Sequence, residues 1–168
     1  AEDYFHKVQK LGGEYLSITL RNLGNLYKSK GNIKQAENYF LKAIQKDSTD
    51  VNALFDYADL LIDENINPQK AIKLLQKAIK LEPFLSQGYA EYASFLRRYP
   101  KSNTDLIKSD SLFKIAIKNN PFYTWAYASR GWLFHKQEHK EKALASFKDG
   151  IKINSNKASP YYYLGNYY

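Results

Sequence analysis

The sequence predicts an all-α fold built from repeated pairs of antiparallel helices, and three observations predict it. Apolar residues recur at spacings of three and four, which keep them on one helical face. Helix-breaking residues divide these stretches into segments of ordinary helix length. The same pattern then returns along the 168 residues. Because a lone helix pair cannot bury its apolar face, we expect the pairs to stack against one another.

Residues 17–50 show the repeating unit most clearly. Its two apolar faces consist of Leu20, Leu23, Gly24 and Tyr27 in the first helix, and of Ala36, Phe40 and Ala43 in the second. Lys30-Gly31-Asn32 ends the first helix, and the polar residues 47–50 end the second and can cap the next one. The segment is therefore one helix–turn–helix of 34 residues.

This spacing resembles that of the tetratricopeptide repeat (TPR), in which a bulky residue, Leu-Gly, Tyr, Ala, Phe, Ala and Pro stand at fixed offsets. In the first copy only the final Pro is replaced, by Ser48. The resemblance implies a right-handed superhelix of helix pairs, a TPR solenoid. In that family the first helices line a concave groove and the second helices form the convex surface.

Three further copies follow on the same template, at residues 51–85, 86–123 and 124–157. The second copy has one extra residue at its inter-helix turn, where Asn67-Pro68 predicts a cap and a first helical position. The third copy has four extra residues at Tyr99 to Asp105, and we expect them to form an exposed loop. In the fourth copy Arg130 stands where the template has Leu.

Half copies stand at both ends of the chain. Residues 1–16 match a second helix, and residues 158–168 match a first helix that begins at Ser159-Pro160. We therefore expect residues 1–168 to form a single solenoid that is an excerpt of a longer protein. Uncovered apolar faces at the two half repeats also predict head-to-tail self-association.

Composition narrows the classes of function. The absence of cysteine excludes disulfide scaffolds and thiol-ligated zinc. No apolar run approaches the roughly 18 residues of a membrane helix, so we expect no membrane span and take the cytoplasm as the default compartment. The formal net charge is +8. The lysines lie mainly on second helices without interleaved aromatic residues, which argues against nucleic-acid binding.

The sequence predicts no enzyme, no cofactor and no metal site. It has no glycine-rich phosphate loop and no nucleophile arrangement that residue spacing could reveal. His135 and His139 have the spacing of a zinc-binding pair on a helix. The template places an inter-helix turn at these positions, however, so the spacing does not indicate a metal site.

In the resembled family, ligands lie on the first-helix residues that face the groove. The candidate groove residues here are Arg21, Asn25, Phe55, Asp56, Asp59, Asp63, Glu91, Arg97, Arg98, Trp125, Trp132 and Tyr162. The acidic residues predict a wall that attracts a basic segment, unless they pair internally with the arginines. The two tryptophans lie two turns apart on one face and predict anchors for an aromatic or apolar ligand side chain, unless they pack against the last half repeat.

One specific TPR activity, the clamp that holds the C-terminal carboxylate of chaperones, is not predicted. Its receiving positions correspond here to Arg21, Asn25, Asp56, Gln87 and Glu91. Two of these five side chains are negative where a carboxylate would have to be bound.

The sequence therefore predicts a non-catalytic, intracellular scaffold or adaptor that binds a peptide or extended segment of a partner protein in its groove. Two alternatives stay open. A structural segment of a large multiprotein assembly is favoured by the half repeats at the ends. An RNA-processing scaffold like the related half-a-TPR family is favoured by the net charge and by the looser third copy. Salt-dependent RNA binding would separate this last alternative from the others.

Overall fold

The computed structural model describes residues 15–153 and Gly165. Between residues 15 and 153 the fold is all-α, with eight helices and no strand. In chain order these are α1 (Leu16–Ser29), α2 (Ile33–Lys46), α3 (Val51–Asp63), α4 (Pro68–Leu81), α5 (Ser86–Arg98), α6 (Asn103–Asn119), α7 (Thr124–Lys136) and α8 (Lys140–Ile153). Turns of three or four residues join the members of each successive pair, so the two helices of a pair run antiparallel.

The chain divides into two compact units. Unit 1 ends at Pro83, and unit 2 begins at Phe84. Unit 1 contains the pairs α1–α2 and α3–α4, and unit 2 contains α5–α6 and α7–α8. Within each unit the second helix of one pair packs on the first helix of the next, and the two first helices also touch. The single solenoid expected over residues 1–168 and its division into repeats stay predictions.

Turn residues set the helix ends. Asn32, Asp50 and Asn67 each cap the helix that follows by accepting a hydrogen bond from a backbone N–H three residues on, at 3.0–3.2 Å. Pro68 stands at the start of α4, so the cap and first helical position predicted for Asn67-Pro68 are confirmed. Gly31 has a φ of 73°, a left-handed conformation that glycine adopts without the steric cost of a Cβ.

The four extra residues of the third copy do not form the exposed loop predicted at Tyr99 to Asp105, and that prediction is wrong. Helix α5 ends at Arg98, and α6 begins at Asn103 and runs for 17 residues, against 14 in the other second helices. Three of the four extra residues therefore lengthen α6, and one lengthens the turn formed by residues 99–102. The Asp105 carboxylate, in the first turn of α6, accepts a hydrogen bond from the Lys101 backbone N–H at 2.8 Å. It thereby satisfies a donor just before the helix and complements the helix dipole.

Two glycines allow close approach of the helices within a pair. A Cβ added to Gly24 would lie 2.5 Å from Cε1 of Phe40, and one added to Gly131 would lie 2.4 Å from Cε1 of Phe147. Both phenylalanines are 0% exposed, so neither ring has room to move aside. At these two positions the absence of a Cβ therefore lets the two helices of a pair lie close together.

Arg130, which replaces the template Leu, links α6 to α7. Its Nε lies 2.6 Å from Oδ1 of Asp110, and its guanidinium carbon lies 5.1 Å from the centroid of the Phe134 ring. Lys114 Nζ lies 2.7 Å from the other oxygen of Asp110. Burial works against the charge of Asp110, but Arg130 and Lys114 outweigh it and hold the pKa of Asp110 below its ordinary value.

Candidate functional site

The candidate groove residues of unit 1 lie on α1 and α3, which touch each other. We define the unit-1 stripe as Arg21, Asn25 and Lys28 of α1 with Asp56, Asp59 and Asp63 of α3. Spacings of three and four place each set in a row along one face of its helix. Hydrogen bonds and ion pairs join the two rows, so the stripe is one continuous polar surface within unit 1.

Asp56 contacts two side chains of α1. Its Oδ2 accepts a hydrogen bond from Asn25 Nδ2 at 2.7 Å and lies 3.7 Å from Nε of Arg21. Arg21 also places one terminal nitrogen 3.6 Å from Asp50, the cap of α3. Burial raises the pKa of Asp56 above its ordinary value, and the contacts with Asn25 and Arg21 offset that effect only in part.

Lys28 holds the other two carboxylates. Its Nζ lies 2.5 Å from Oδ2 of Asp59 and 3.0 Å from Oδ2 of Asp63. Burial favours the neutral amine, but the hydrogen bonds to the two carboxylates outweigh it, so the pKa of Lys28 lies above its ordinary value. The side chains of Asp59 and Asp63 are 42% and 38% exposed, and a pair open to solvent in this way contributes only about 0–1 kcal/mol to stability.

The stripe with the neighbouring cap keeps an excess of negative charge. Two cations, Arg21 and Lys28, face four carboxylates when Asp50 is counted. Of the two alternatives that the sequence left open for the acidic residues, internal pairing with Arg21 is confirmed for Asp56. Pairing of Asp59 and Asp63 with Lys28 was not predicted. The surface therefore carries mixed charges with a negative balance.

Of the remaining candidate residues, one is buried and one lies outside the described residues. Phe55, predicted to face the groove, is 3% exposed, so its ring is buried and presents almost no area to a ligand. Tyr162 lies outside the described residues. So does all of the half repeat 158–168 except Gly165, and all of the half repeat 1–16 except Tyr15 and Leu16. The predicted head-to-tail contact therefore stays a prediction.

The two tryptophans lie half-buried on α7 in unit 2. The ring centroid of Trp125 is 5.9 Å from that of Tyr123, and Trp132 stacks on His135 with centroids 4.8 Å apart. Both indoles therefore contact aromatic neighbours inside unit 2, and their use by a ligand stays a prediction.

The three charged candidates of α5 also belong to unit 2. Glu91 and Arg97 are half-buried, and Arg98 is exposed at the last residue of the helix. Burial, together with the nearby Glu91 carboxylate, raises the pKa of Tyr123. Glu91 and Tyr123 therefore belong to one electrostatic neighbourhood on α5 and at the start of α7.

Two lysines of second helices are held by buried tyrosines of first helices. Lys70 Nζ donates a hydrogen bond to Tyr57 Oη at 2.5 Å and lies 4.7 Å from its ring centroid. Lys108 does the same to Tyr92, at 2.9 Å and 4.9 Å. These lysines contribute to the packing within helix pairs, because a cation over an aromatic face is attracted by the ring.

An aromatic edge of unit 2 was missed in the sequence. Phe84 and Phe122 each follow the template proline and are 85% and 78% exposed. A pocket of about 450 Å³ opens beside Phe84, lined also by Leu85, Ser86, Gln87, Asn119, Asn120 and Tyr123. The signal that could have found this edge is the Pro-Phe dipeptide, which occurs at the same template position in two copies.

His135 lies in α7, whereas His139 precedes α8. The inter-helix turn that the template predicts there is confirmed. Over the described residues, no group of three or more His, Asp or Glu side chains is placed to hold a metal ion. In the same part of the chain, none of the helices has the length and hydropathy needed to cross a membrane.

A family model described as tetratricopeptide repeat matches residues 21–49 and residues 126–157. The first match falls on α1 and α2 in unit 1, and the second falls on α7 and α8 in unit 2. These two segments of the chain match the tetratricopeptide repeat. TPR solenoids present extended surfaces to other proteins, so the fold is consistent with a protein-interaction role.

Solved structures of TPR proteins resemble the fold closely. A thermophilic TPR protein of Thermus thermophilus has a TM-score of 0.78 at 21% identity, covering 90% of this chain and 81% of that one. PilW, described as a widely conserved type IV pilus biogenesis factor, also has a TM-score of 0.78, at 19% identity, covering 92% of this chain and 70% of that one. These likenesses confirm the predicted fold class, an all-α TPR solenoid.

A relative by sequence is much longer than this chain. Protein O-mannosyl-transferase TMTC3 of Mus musculus is 24% identical over 161 residues, which is 88% of this chain. The match spans 17% of the length of that relative. The similarity therefore concerns a minor part of the mouse protein.

Proposed function

We propose that this chain is a non-catalytic TPR scaffold that binds an extended, basic segment of a partner protein along the unit-1 stripe. The observation that carries the proposal is the charge balance of that surface, where Arg21 and Lys28 face three carboxylates of the stripe and a fourth, Asp50, at the neighbouring helix cap. The chain as a whole has a formal net charge of +8. A local negative surface on a basic protein attracts a basic segment and orients it, because the rest of the chain repels that segment.

The most exposed carboxylates of the stripe mark the position where a basic ligand would bind. The side chains of Asp59 and Asp63 are 42% and 38% exposed, against 30% for Asp56. A lysine or arginine of the partner would approach Asp59 and Asp63 and compete there with Lys28 for the same oxygens. Because the existing pair is partly hydrated, its replacement costs little, and the gain in binding comes from the unbalanced carboxylate charge.

Binding of labelled peptides, followed by fluorescence polarisation, tests the class of ligand. Three peptides of equal length, one rich in lysine and arginine, one neutral and one rich in glutamate, are titrated with the protein at low and at high salt. We expect the basic peptide to bind most tightly and to lose affinity as salt screens exposed charges. An acidic peptide that binds as well as the basic one would contradict the proposal.

The same assay separates the RNA alternative. Single-stranded RNA replaces the peptide as the probe, at the same salt concentrations. We expect RNA to bind more weakly than the basic peptide, because the unit-1 stripe repels phosphates and the lysines of the second helices lack interleaved aromatic residues on which bases could stack. RNA that binds more tightly, with a steep salt dependence, would instead support the RNA-processing scaffold.

A further inference from the structure

Two loops of unit 2 each expose a phenylalanine at the entry to a first helix. Phe84 precedes α5 and Phe122 precedes α7, and these two helices touch each other. Their side chains, 85% and 78% exposed, are the most exposed large apolar side chains of the described residues. The corresponding loop of unit 1, Asp47-Ser48-Thr49-Asp50, has two carboxylates and no aromatic residue. The exposed rings are therefore a feature of unit 2 and not of every repeat.

Hydrogen bonds fix the backbone of the second loop. The Asn120 side-chain oxygen accepts a bond from the Phe122 N–H at 3.0 Å, and its backbone oxygen accepts one from the Tyr123 N–H at 3.1 Å. Such a turn fixes the direction of the chain without a helix. The Tyr123 ring lies against Trp125, with centroids 5.9 Å apart. One wall of the pocket beside Phe84 is therefore a hydrogen-bonded turn, and the Tyr123 ring of this turn packs against Trp125.

The lining of this pocket carries no charged side chain, although 25% of the residues of the chain are charged. It consists of aromatic and aliphatic surface with three carboxamides, from Gln87, Asn119 and Asn120, and the Ser86 hydroxyl. A carboxamide offers both donors and an acceptor, as a peptide main chain does. The volume of about 450 Å³ falls within the range of roughly 300–1,000 Å³ that is usual for ligand pockets.

We propose that this pocket is a docking site, separate from the unit-1 stripe, for an uncharged stretch of a partner polypeptide. An aromatic side chain of that stretch lies between Phe84 and Tyr123, and its main-chain amides pair with Gln87 and Asn120. The lack of charge favours this occupant, because the carboxamides can pair with main-chain amides, whereas no side chain of the lining carries an opposite charge to offset the desolvation of a charged segment. A basic segment, which the stripe would favour, is therefore a poor ligand here.

Nuclear magnetic resonance of the labelled chain tests the proposal with a defined probe. The neutral peptide acetyl-Gly-Ser-Phe-Ser-Gly-amide is titrated, alongside the same peptide with Ala in place of Phe. We expect saturable shifts at residues 84–87 and 119–123 with the Phe peptide, and affinity at least about tenfold weaker with the Ala peptide. Phe84→Ala should weaken the Phe peptide by a similar factor. The matched control, Ile107→Ala, removes a side chain that is 60% exposed outside the pocket and should change affinity by less than about twofold.

Circular dichroism of Phe84→Ala shows whether the variant keeps its helix content, which an exposed ring should not affect. Equal binding of the Phe and Ala peptides would overturn the proposal, and so would full affinity of a folded Phe84→Ala variant. Shifts that appear at the same residues on concentrating the protein alone, and that Phe84→Ala abolishes, would assign the pocket to a second copy and overturn it as well. None of these outcomes depends on the unit-1 stripe.

Discussion

Replacing Gly24 with alanine tests the helix contact on which the first repeat depends. The added methyl would lie 2.5 Å and 2.6 Å from two ring carbons of Phe40, about 1 Å inside ordinary carbon contact. Because Phe40 is 0% exposed, the ring cannot move without opening a void. Overpacking of this kind costs about 1–3 kcal/mol, and alanine in a helix returns about 1 kcal/mol of propensity. The difference between the two terms is a net loss of about 0–2 kcal/mol in the free energy of unfolding, so we expect the substitution not to stabilise the protein.

Urea unfolding followed by far-ultraviolet circular dichroism measures this loss. Phe40→Leu removes the ring atoms that the methyl would meet, so the double variant should cost less than the sum of the two single changes. Gly131→Ala, which faces Phe147 at 2.4 Å, should repeat the effect in unit 2. If Gly24→Ala instead stabilised the protein by about 1 kcal/mol, the whole difference in helix propensity between glycine and alanine, the close approach of α1 and α2 would be refuted.

Two further predictions concern charged groups. Because the folded-state pKa of Asp110 is lowered, its ion pairs stabilise the fold above its unfolded pKa of about 3.9, and this stability is lost as pH falls through the folded value. In urea unfolding, Asp110→Asn should therefore be less stable than the wild type at neutral pH, and this difference in the free energy of unfolding should shrink in acid. An equal difference at both pH values would contradict the prediction. Lys28→Met removes the internal competitor for Asp59 and Asp63, so the basic peptide should bind more tightly. The free energy of unfolding should change by only about 0–1 kcal/mol. Weaker binding of the peptide would show that Lys28 assists the ligand.

Periodicity and turn chemistry in the sequence predict most of the fold, because both are local. The spacing that places Gly24 against Phe40 follows from the period of the helix, and the structure confirms it. Asn67-Pro68 carries its own start signal. The turn between His135 and His139 follows from the repeat length alone. Each of these predictions needs only residues that are close in sequence or fixed by the repeat.

The insertion in the third copy shows where residue counting fails. The count says that four residues are added, but whether they form a loop or extend a helix depends on capping. Ser102 and Asp105 stand three residues apart, which is a helix-start signal, and α6 begins between them at Asn103. Reading that signal would have predicted the long α6.

The chemistry of the candidate site was harder to predict, because it depends on contacts between helices. The pattern placed Asp59 and Asp63 on one face of α3, but not Lys28 of α1 within reach of both. It placed Phe55 on the same face, yet the ring is buried, and a pattern along one helix does not reveal what covers it. The exposure of Phe84 likewise follows from its position in a loop, which the template does not use for packing.

The most direct test of the proposed function compares two charge reversals of equal size. Asp59→Lys acts in the unit-1 stripe, whereas Asp149→Lys acts at an exposed aspartate on α8 of unit 2. The affinity of the basic peptide for each variant is measured by fluorescence polarisation at low salt. We expect Asp59→Lys to weaken binding at least about tenfold, or roughly 1.4 kcal/mol, and Asp149→Lys to weaken it by less than about twofold. Equal losses in the two variants, or an unchanged affinity in Asp59→Lys, would contradict the assignment of the binding surface to the stripe.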